Sequence, residues 1–295
     1  MKKILITGGS RGLGLNTVKS LAQLNFKIIS LRRSKNKDMY SHPNIEYVFG
    51  DITDIQTLNE NLWGTSTAIH LAGLTHSSDT KKYYEVNADG TSNLIQRAKT
   101  SNLKRFIYVS TQAIGLEGGS YSHSKEIAEK HLMKSSLKWT ILRPSEIYGL
   151  KVEDSIESLC RFILSSRIVP IIGDGQYTLN PLHVDDFVRF ITDLLNCESD
   201  KSYHKIYQLA GPSPTSFKAF CKKHSQFHNH KQSVIHLPVF FCKLILYLCS
   251  KANLTSITLD QIDRLRMIKN NDISLAVSDY FFAPRKFSHN LTLSA

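Results

Sequence analysis

The chain is predicted to be α/β: a doubly wound parallel sheet with helices on both faces, followed by a smaller and mostly helical C-terminal part. Three features point there. Short apolar runs recur through the first half, with helical patterns between most of them. A glycine-rich loop, Thr7-Gly-Gly-Ser-Arg-Gly-Leu-Gly14, stands between the first run and the first helical pattern. From about Lys151 the regular alternation stops. Strands that are apolar along their whole length need cover on both faces, and strand–helix alternation provides it.

Taken in order, Lys2 to Thr7 reads as a buried strand rich in Ile and Leu, and the pattern Leu15, Val18, Leu21, Ala22 reads as a helix. Further strands are expected at Lys27 to Leu31, Ile45 to Phe49, Ala68 to Ala72, Phe106 to Ser110 and Trp139 to Leu142. Helices are expected at Ile55 to Leu62, Tyr83 to Ala98 and Tyr121 to Met133. Beyond Lys151, helices are expected over Asp154 to Ser166, Asp185 to Leu195, Phe217 to His224, Val239 to Ser250, Thr258 to Lys269 and Ile273 to Asp279. Val169 to Ile172 reads as a short strand, and Ile206 to Ala210 as a strand returning to the main sheet. The expected division is residues 1–150 as a Rossmann-like dinucleotide-binding domain to which 183–211 returns. Residues 151–182 and 212–295 would then form a substrate-binding lid.

The glycine loop follows a strand and opens a helix, as a dinucleotide fingerprint requires. Gly8, Gly12 and Gly14 allow a tight turn and a close approach of pyrophosphate, whose charge the helix N-terminus favours. The second strand ends Leu31-Arg32-Arg33-Ser34, with no acid before Asp38. An acid there would hold a ribose 2′-hydroxyl, whereas arginines suit a 2′-phosphate. Arg32 and Arg33, joined by Arg11, therefore favour NADP(H), with NAD(H) as the alternative.

Tyr121 and Lys125 lie four residues apart on one helix face. An ammonium beside a phenol favours the phenolate, which would make the pair a proton-transfer device at a carbonyl or alcohol carbon.

Composition bounds the rest. The chain has 295 residues, 41% of them hydrophobic and 21% charged, which suits one large or two modest globular domains. Cys160, Cys197, Cys221, Cys242 and Cys249 are scattered without a C-x-x-C pair, so no metal site or disulfide framework is expected, and a reducing, cytoplasmic location fits. The first apolar run stops at Ile6, too early for a signal peptide. Leu237 to Cys249 is too short to cross a bilayer and reads as a buried amphipathic helix, with docking on a membrane surface as the other reading. The net charge of +12 is dispersed and no nucleic-acid motif accompanies it, so a bias toward phosphorylated ligands is expected rather than nucleic acid. His224, His228 and His230 read as a solvated loop.

Further motifs run through the chain: Gly50-Asp-Ile-Thr-Asp54, His70-Leu-Ala-Gly73, Asn87-Ala-Asp-Gly-Thr91, Tyr108-Val-Ser-Thr111, Leu142-Arg-Pro-Ser-Glu-Ile-Tyr-Gly149, Ile172-Gly-Asp-Gly175, His183-Val-Asp-Asp186 and Tyr207-Gln-Leu-Ala-Gly211. With the glycine loop and Tyr121-x-x-x-Lys125, the chain resembles the short-chain dehydrogenase/reductases, in particular their extended epimerase/dehydratase branch. The resemblance implies that the whole loop, Thr7, Gly8, Gly9, Ser10, Arg11, Gly12, Leu13 and Gly14, borders the cofactor. It puts Asp51 and Ile52 at the adenine, Leu71, Ala72 and Gly73 along the cofactor, and Pro144 and Ser145 over the nicotinamide. Tyr121 would be the acid/base, Lys125 would hold the nicotinamide ribose, and Thr111, with Ser110 as alternative, would hydrogen-bond the reacting oxygen. Substrate contacts are expected at Thr75, Thr111, Tyr148 and Asn180.

Departures from the family pattern narrow the chemistry. The glycine spacing is that of the smaller single-domain reductases. Gln112 and Ala113 stand where dehydratases resembling this chain carry Asp-Glu, so dehydration is not expected. No arginine occurs in Tyr177 to Leu182, where many epimerases grip a diphosphate; Arg161 or Arg167 would substitute. The expected function is an NAD(P)-dependent 4-keto reductase or 4-epimerase of a nucleotide sugar. Two other readings stand beside it: a reductase of a lipid- or polyketide-like ketone, and a cofactor-binding structural or sensor subunit without turnover. A homodimer is the expected assembly if the chain self-associates.

Overall fold

The computed structural model describes residues 2–35, 39–58, 64–150, 155–197, 199–251 and 259–290, with backbone only at 249–251. The first half runs β1 (Lys3–Thr7), α1 (Gly12–Gln23), β2 (Lys27–Arg32), β3 (Ile45–Phe49) and β4 (Thr67–His70). Then come α2 (Lys81–Tyr83), a π-helical turn (Tyr84–Asp89), α3 (Gly90–Lys99), β5 (Arg105–Val109), α4 (Gly119–Met133) and β6 (Trp139–Pro144). The second half runs β7 (Ile147–Tyr148), α5 (Ser155–Ser165), β8 (Ile168–Ile172), β9 (Thr178–Leu179), β10 (Leu182–His183), α6 (Val184–Asn196) and β11 (Lys205–Leu209). It ends with β12 (Thr215–Ser216), α7 (Phe217–Phe227), β13 (Ser233–Leu237), α8 (Val239–Lys251), α9 (Leu259–Arg266) and α10 (Ser274–Tyr280).

The main sheet is parallel, in the order β11-β6-β5-β4-β1-β2-β3. Alternation along β1 explains the layers, because successive side chains point to opposite faces. Ile4 and Ile6 join Val18, Leu21, Phe187, Phe190, Tyr280 and Phe282 on one face. Leu5 joins Ile29, Leu94, Ile95, Phe106, Ala128 and Leu132 on the other. A third cluster, with Ile156, Cys160, Ile171, Phe217 and Phe220, holds the outer elements together.

The His183-Val-Asp-Asp186 motif ties the chain's C-terminal segment to this frame. His183 Nδ1 accepts from the Asp185 N–H at 3.1 Å at the start of α6. The buried Asp186 carboxylate accepts from Arg285 Nε at 3.1 Å, Arg285 Nη2 at 3.2 Å and the Arg285 backbone N–H at 2.9 Å.

Four expectations need correction. Of the helix predicted from Ile55 to Leu62, the described part holds a 3₁₀ turn, Ile55–Thr57, and residues 59–62 lie outside the described residues, as do Asp38, Lys151, Asp154 and Thr258. β7, β9, β10, β12 and β13 have no counterpart in the sequence reading, because four of them are two-residue strands too short to show a period. His224 is fully buried on α7 rather than solvated, packed with His228 and His289, and burial pushes its pKa down to about 4. α8 is not buried either: Phe240 is 77% exposed, and Phe241, Leu244, Ile245, Tyr247 and Leu248 are all exposed. No helix among the described residues is long and apolar enough to cross a membrane.

Candidate active site

The chain winds outward from β1 in both directions, so the strand order reverses between β1 and β4. Ligands of doubly wound sheets sit in the crevice beyond the C-terminal ends of such strands. Thr7 and His70 end these strands in register with each other.

A chain of hydrogen bonds locks that edge. The Thr91 hydroxyl donates to the Asn87 carbonyl at 2.6 Å, so it accepts from His70 Nε2 at 2.9 Å. His70 Nδ1 is then left to accept from the Thr7 hydroxyl at 2.6 Å, and Thr7 Oγ1 accepts from the Ala72 N–H at 3.3 Å. The neutral imidazole this requires is the one burial enforces: His70 is pushed down to about 3, with Lys125 adding to the effect. The loop Leu71–Gly73 is thereby fastened to the sheet.

The glycine loop lies against that fastened segment. A Cβ on Gly8 would stand 2.4 Å from the Ala72 nitrogen. A Cβ on Gly12, whose φ is +50°, would meet nothing within 4 Å. The loop is thus pressed to the sheet on one side and bare on the other, at the N-terminus of α1, where unpaired N–H groups favour an anion. Ser10 and Arg11 are exposed beside it, Leu13 is half-buried, and Gly9 and Gly14 are buried.

At the end of β2, Arg32 is only 7% exposed, its guanidinium carbon 5.3 Å from the Tyr47 ring centroid. Arg32 Nε has no hydrogen-bond partner among the described residues. Arg33 is exposed. Asp51 Oδ1 accepts from the Thr53 N–H at 3.0 Å and the Thr53 hydroxyl at 2.9 Å, and Ile52 packs on Gly90. A bare helix N-terminus and an orphaned buried guanidinium nitrogen fit a dinucleotide phosphate.

Thr111, Tyr121 and Lys125 come together below this edge. Tyr121 is 8% exposed on the first turn of α4, with Lys125 one turn on. Lys125 Nζ donates to the Val109 carbonyl at 2.9 Å and lies 4.3 Å from the Tyr108 ring centroid. It also reaches the loop Leu71–Gly73, since a Cβ on Gly73 would stand 3.7 Å from it. Burial pushes Lys125 down to about 7, opposed by Glu129. Burial pushes the Tyr121 phenol up; the Arg264 guanidinium and a side-chain hydrogen bond with Thr111 pull it back. The net shift is upward, against the expected lowering by Lys125; the cation that opposes burial is Arg264, whose Cζ stands 4.4 Å from the Tyr121 ring centroid. Ser110, the alternative to Thr111, is buried with its hydroxyl unpartnered among the described residues, as is the amide of Gln112.

The π turn serves the same place. Asn87 Oδ1 accepts from the Leu74 N–H at 2.7 Å, while its Nδ2 donates to the Leu74 carbonyl at 3.0 Å and to Ser124 Oγ at 3.0 Å. Ser124 Oγ donates to the Tyr121 carbonyl at 2.7 Å. One side chain therefore joins the loop after Gly73 to α4, and a local π turn is what aims it.

The remaining expected residues divide. Thr75 is exposed, and its carbonyl accepts from Arg264 Nη1 at 3.3 Å. Pro144 ends β6, and the Ser145 hydroxyl donates to the Asn180 carbonyl at 2.6 Å. Asn180 donates from its N–H to Glu146 Oε2 at 3.3 Å and from Nδ2 to Asn271 at 3.4 Å, while Lys269 pairs with the other Glu146 oxygen. Tyr148 is packed among His183, Phe287 and the outer core, only 3% exposed. His70 and Asn87 lie inside motifs already read, where polar residues among buried neighbours are the signal. Arg264 has no local signal, because only the fold brings it to Tyr121. No group of metal ligands occurs among the described residues.

The model of the NAD dependent epimerase/dehydratase family matches residues 4–210. The chain belongs to that family. Curated proteins resemble the chain over most of its length. A UDP-glucose 4-epimerase of Vibrio cholerae is 26% identical, covering 92% of this chain and 88% of its own. An N-acetyl-α-D-glucosaminyl-diphospho-ditrans,octacis-undecaprenol 4-epimerase of Escherichia coli O157:H7 is 25% identical, covering 80% of this chain and 75% of its own. Among solved structures, the Bordetella bronchiseptica enzyme WbmG in complex with NAD and UDP superimposes with a TM-score of 0.75 at 15% identity, covering 97% of this chain and 91% of its own. Family membership makes this chain an enzyme of oxidoreductase or epimerase type.

Proposed function

We propose that this enzyme oxidises or reduces carbon 4 of a nucleotide-linked sugar, as a 4-epimerase or a 4-keto reductase. One observation carries the reading: Tyr121 is buried on the first turn of α4, with Thr111 acting on its phenol and Lys125 one turn on, within reach of the Gly73 loop. The UDP-glucose in the name of the Vibrio cholerae relative and the UDP in the WbmG complex support the substrate class.

The residues divide the work as follows. The loop from Thr7 to Gly14 and the N-terminus of α1 would hold the pyrophosphate of a nicotinamide dinucleotide, with Asp51 and Ile52 toward the adenine. That cofactor supplies the hydride acceptor and donor. Tyr121 takes the proton from the sugar 4-hydroxyl during oxidation and returns it during reduction. Thr111 hydrogen-bonds the same oxygen. Lys125 holds the ribose side. Gln112 and Ala113 offer neither acid nor base, so the reading excludes elimination of water.

Arg32 and Arg33 support NADP(H) over NAD(H), because a buried guanidinium with an unpartnered nitrogen suits a 2′-phosphate. That choice leans toward the reductase, since a reductase draws a fresh reduced cofactor at each turnover.

The test incubates the enzyme with UDP-glucose and with a UDP-4-keto sugar, in the presence of NAD(H) or NADP(H). Interconversion of epimers without net cofactor change marks the epimerase; stoichiometric NADPH consumption marks the reductase. Tyr121→Phe keeps the ring and should keep cofactor binding while turnover falls by about 10²–10⁴. Near-normal turnover in Tyr121→Phe sinks the mechanism. Silence of the wild type toward every nucleotide sugar sinks the substrate class and turns the search to lipid- or polyketide-like ketones.

A further inference from the structure

Helix α9 sits on the first turn of α4, the turn that carries Tyr121. Two bare glycines make the seat. A Cβ on Gly119, whose φ is +78°, would stand 2.5 Å from Asp260 Cβ, and one on Gly118 would stand 2.2 Å from Met267 Sδ. By helical spacing Asp260, Arg264 and Met267 share one face, and the Met267 N–H still donates to the Asp263 carbonyl at 3.1 Å. Arg264 lies between the two close approaches. Its guanidinium covers the Tyr121 ring at 4.4 Å, and its Nη1 donates to the Thr75 carbonyl at 3.3 Å.

The contact is therefore a bridge. One face of α9 touches the acid/base helix and also the loop that continues from Leu71–Gly73. A guanidinium keeps its charge at any working pH. A cation held that close to a phenol favours the phenolate.

We propose that Arg264 is a positioning residue that couples the seating of α9 to the proton transfer at Tyr121. With α9 docked, the guanidinium stabilises the phenolate that accepts the sugar proton. With α9 lifted, that stabilisation is lost and proton transfer at Tyr121 slows. The proposal rests on the acid/base reading of Tyr121.

The other titratable groups on the elements around Tyr121 do not replace it. Tyr83 on α2 stands edge-on at 5.9 Å, and Tyr108 on β5 is buried and neutral. Glu117 precedes α4 and is exposed. On α4, Glu129 is bound by Arg143, and Lys125 turns to the Val109 carbonyl. On α9, Asp263 pairs with Lys243, and Asp260 packs on Gly119. Arg264 is the cation stacked on the ring.

The experiment titrates the phenol itself. The full chain is labelled with 13Cζ-tyrosine, and the Tyr121 resonance is assigned by its loss in Tyr121→Phe. Wild type, Arg264→Gln and Arg264→Lys are then titrated by NMR. The expected result is a midpoint for Tyr121 that rises by about one pH unit or more in Arg264→Gln and returns toward wild type in Arg264→Lys. Tyr83 and Tyr108 should keep their behaviour in all three. Equal Tyr121 midpoints in wild type and Arg264→Gln, including phenols silent to the alkaline limit of folding in both, overturn the proposal. So does a parallel shift of Tyr83 and Tyr108, which would mean that the substitution loosens the fold. The acid/base reading fails separately, through undiminished turnover of UDP-glucose by Tyr121→Phe.

Discussion

Lys125 shows what burial does to a single charge. In the folded chain it is pushed down to about 7 from the ordinary 10.5. The unfolded chain holds the proton up to the higher value, so unfolding takes up a proton between the two. Stability contributed at this position therefore rises with pH from about 7 to about 10.5, and below that window the fold carries a buried ammonium. Lys125→Met removes the titration while keeping much of the volume. Denaturation measured from pH 6 to pH 10 should show the wild type gaining on Lys125→Met as pH rises. A constant difference would place the ammonium in water. His70 makes the complementary point: held near 3 by burial, it serves as a neutral link between Thr7 and Thr91 rather than as a proton carrier at working pH.

At the scale of elements, the seat of α9 on α4 is what brings Arg264 to Tyr121. Gly119 combines a left-handed φ with a neighbour in van der Waals collision range of any side chain. Gly119→Ala should cost about 1 kcal/mol for the backbone alone, and the displaced Asp260 adds to it. Hydrogen exchange in residues 259–266 should quicken while the strands of the main sheet keep their protection. Unchanged exchange in α9 would show that the helix does not need the bare turn. The π turn before α3 is a second such device. It spoils one helical turn so that Asn87 reaches Leu74 and Ser124 together.

For the whole molecule, the sheet order places the crevice and the Arg285–Asp186 pairing anchors the C-terminal segment on α6. Arg285→Ala leaves the Asp186 carboxylate, 1% exposed, with Arg189 as its remaining cationic partner. Losing charged hydrogen bonds of this kind should cost about 1.5–3 kcal/mol. Urea denaturation would read that loss, and residues 281–290 should become protease-sensitive first. A variant as stable as the wild type would show that packing of Phe282 and Phe287 alone anchors the segment.

Much of this was legible in the chain itself. Most strands of the main sheet, β1, β2, β4, β5 and β6 among them, are largely apolar runs that show without knowledge of their neighbours. The glycine loop and the Tyr121-x-x-x-Lys125 pair are local too, because a turn and one helix face are enough to define them. The sequence alone thus determined the α/β class, the family and the catalytic trio to be tested. Tertiary structure decided what depends on distant segments meeting. It buried Arg32 against Tyr47, buried His224, left α8 exposed and packed Tyr148 into the outer core. It also laid Arg264 on Tyr121, where residues far apart in the chain meet only because α9 docks on Gly118 and Gly119. Burial sets the charge of Lys125 and His70, and burial is a property of the packed chain that no short stretch contains.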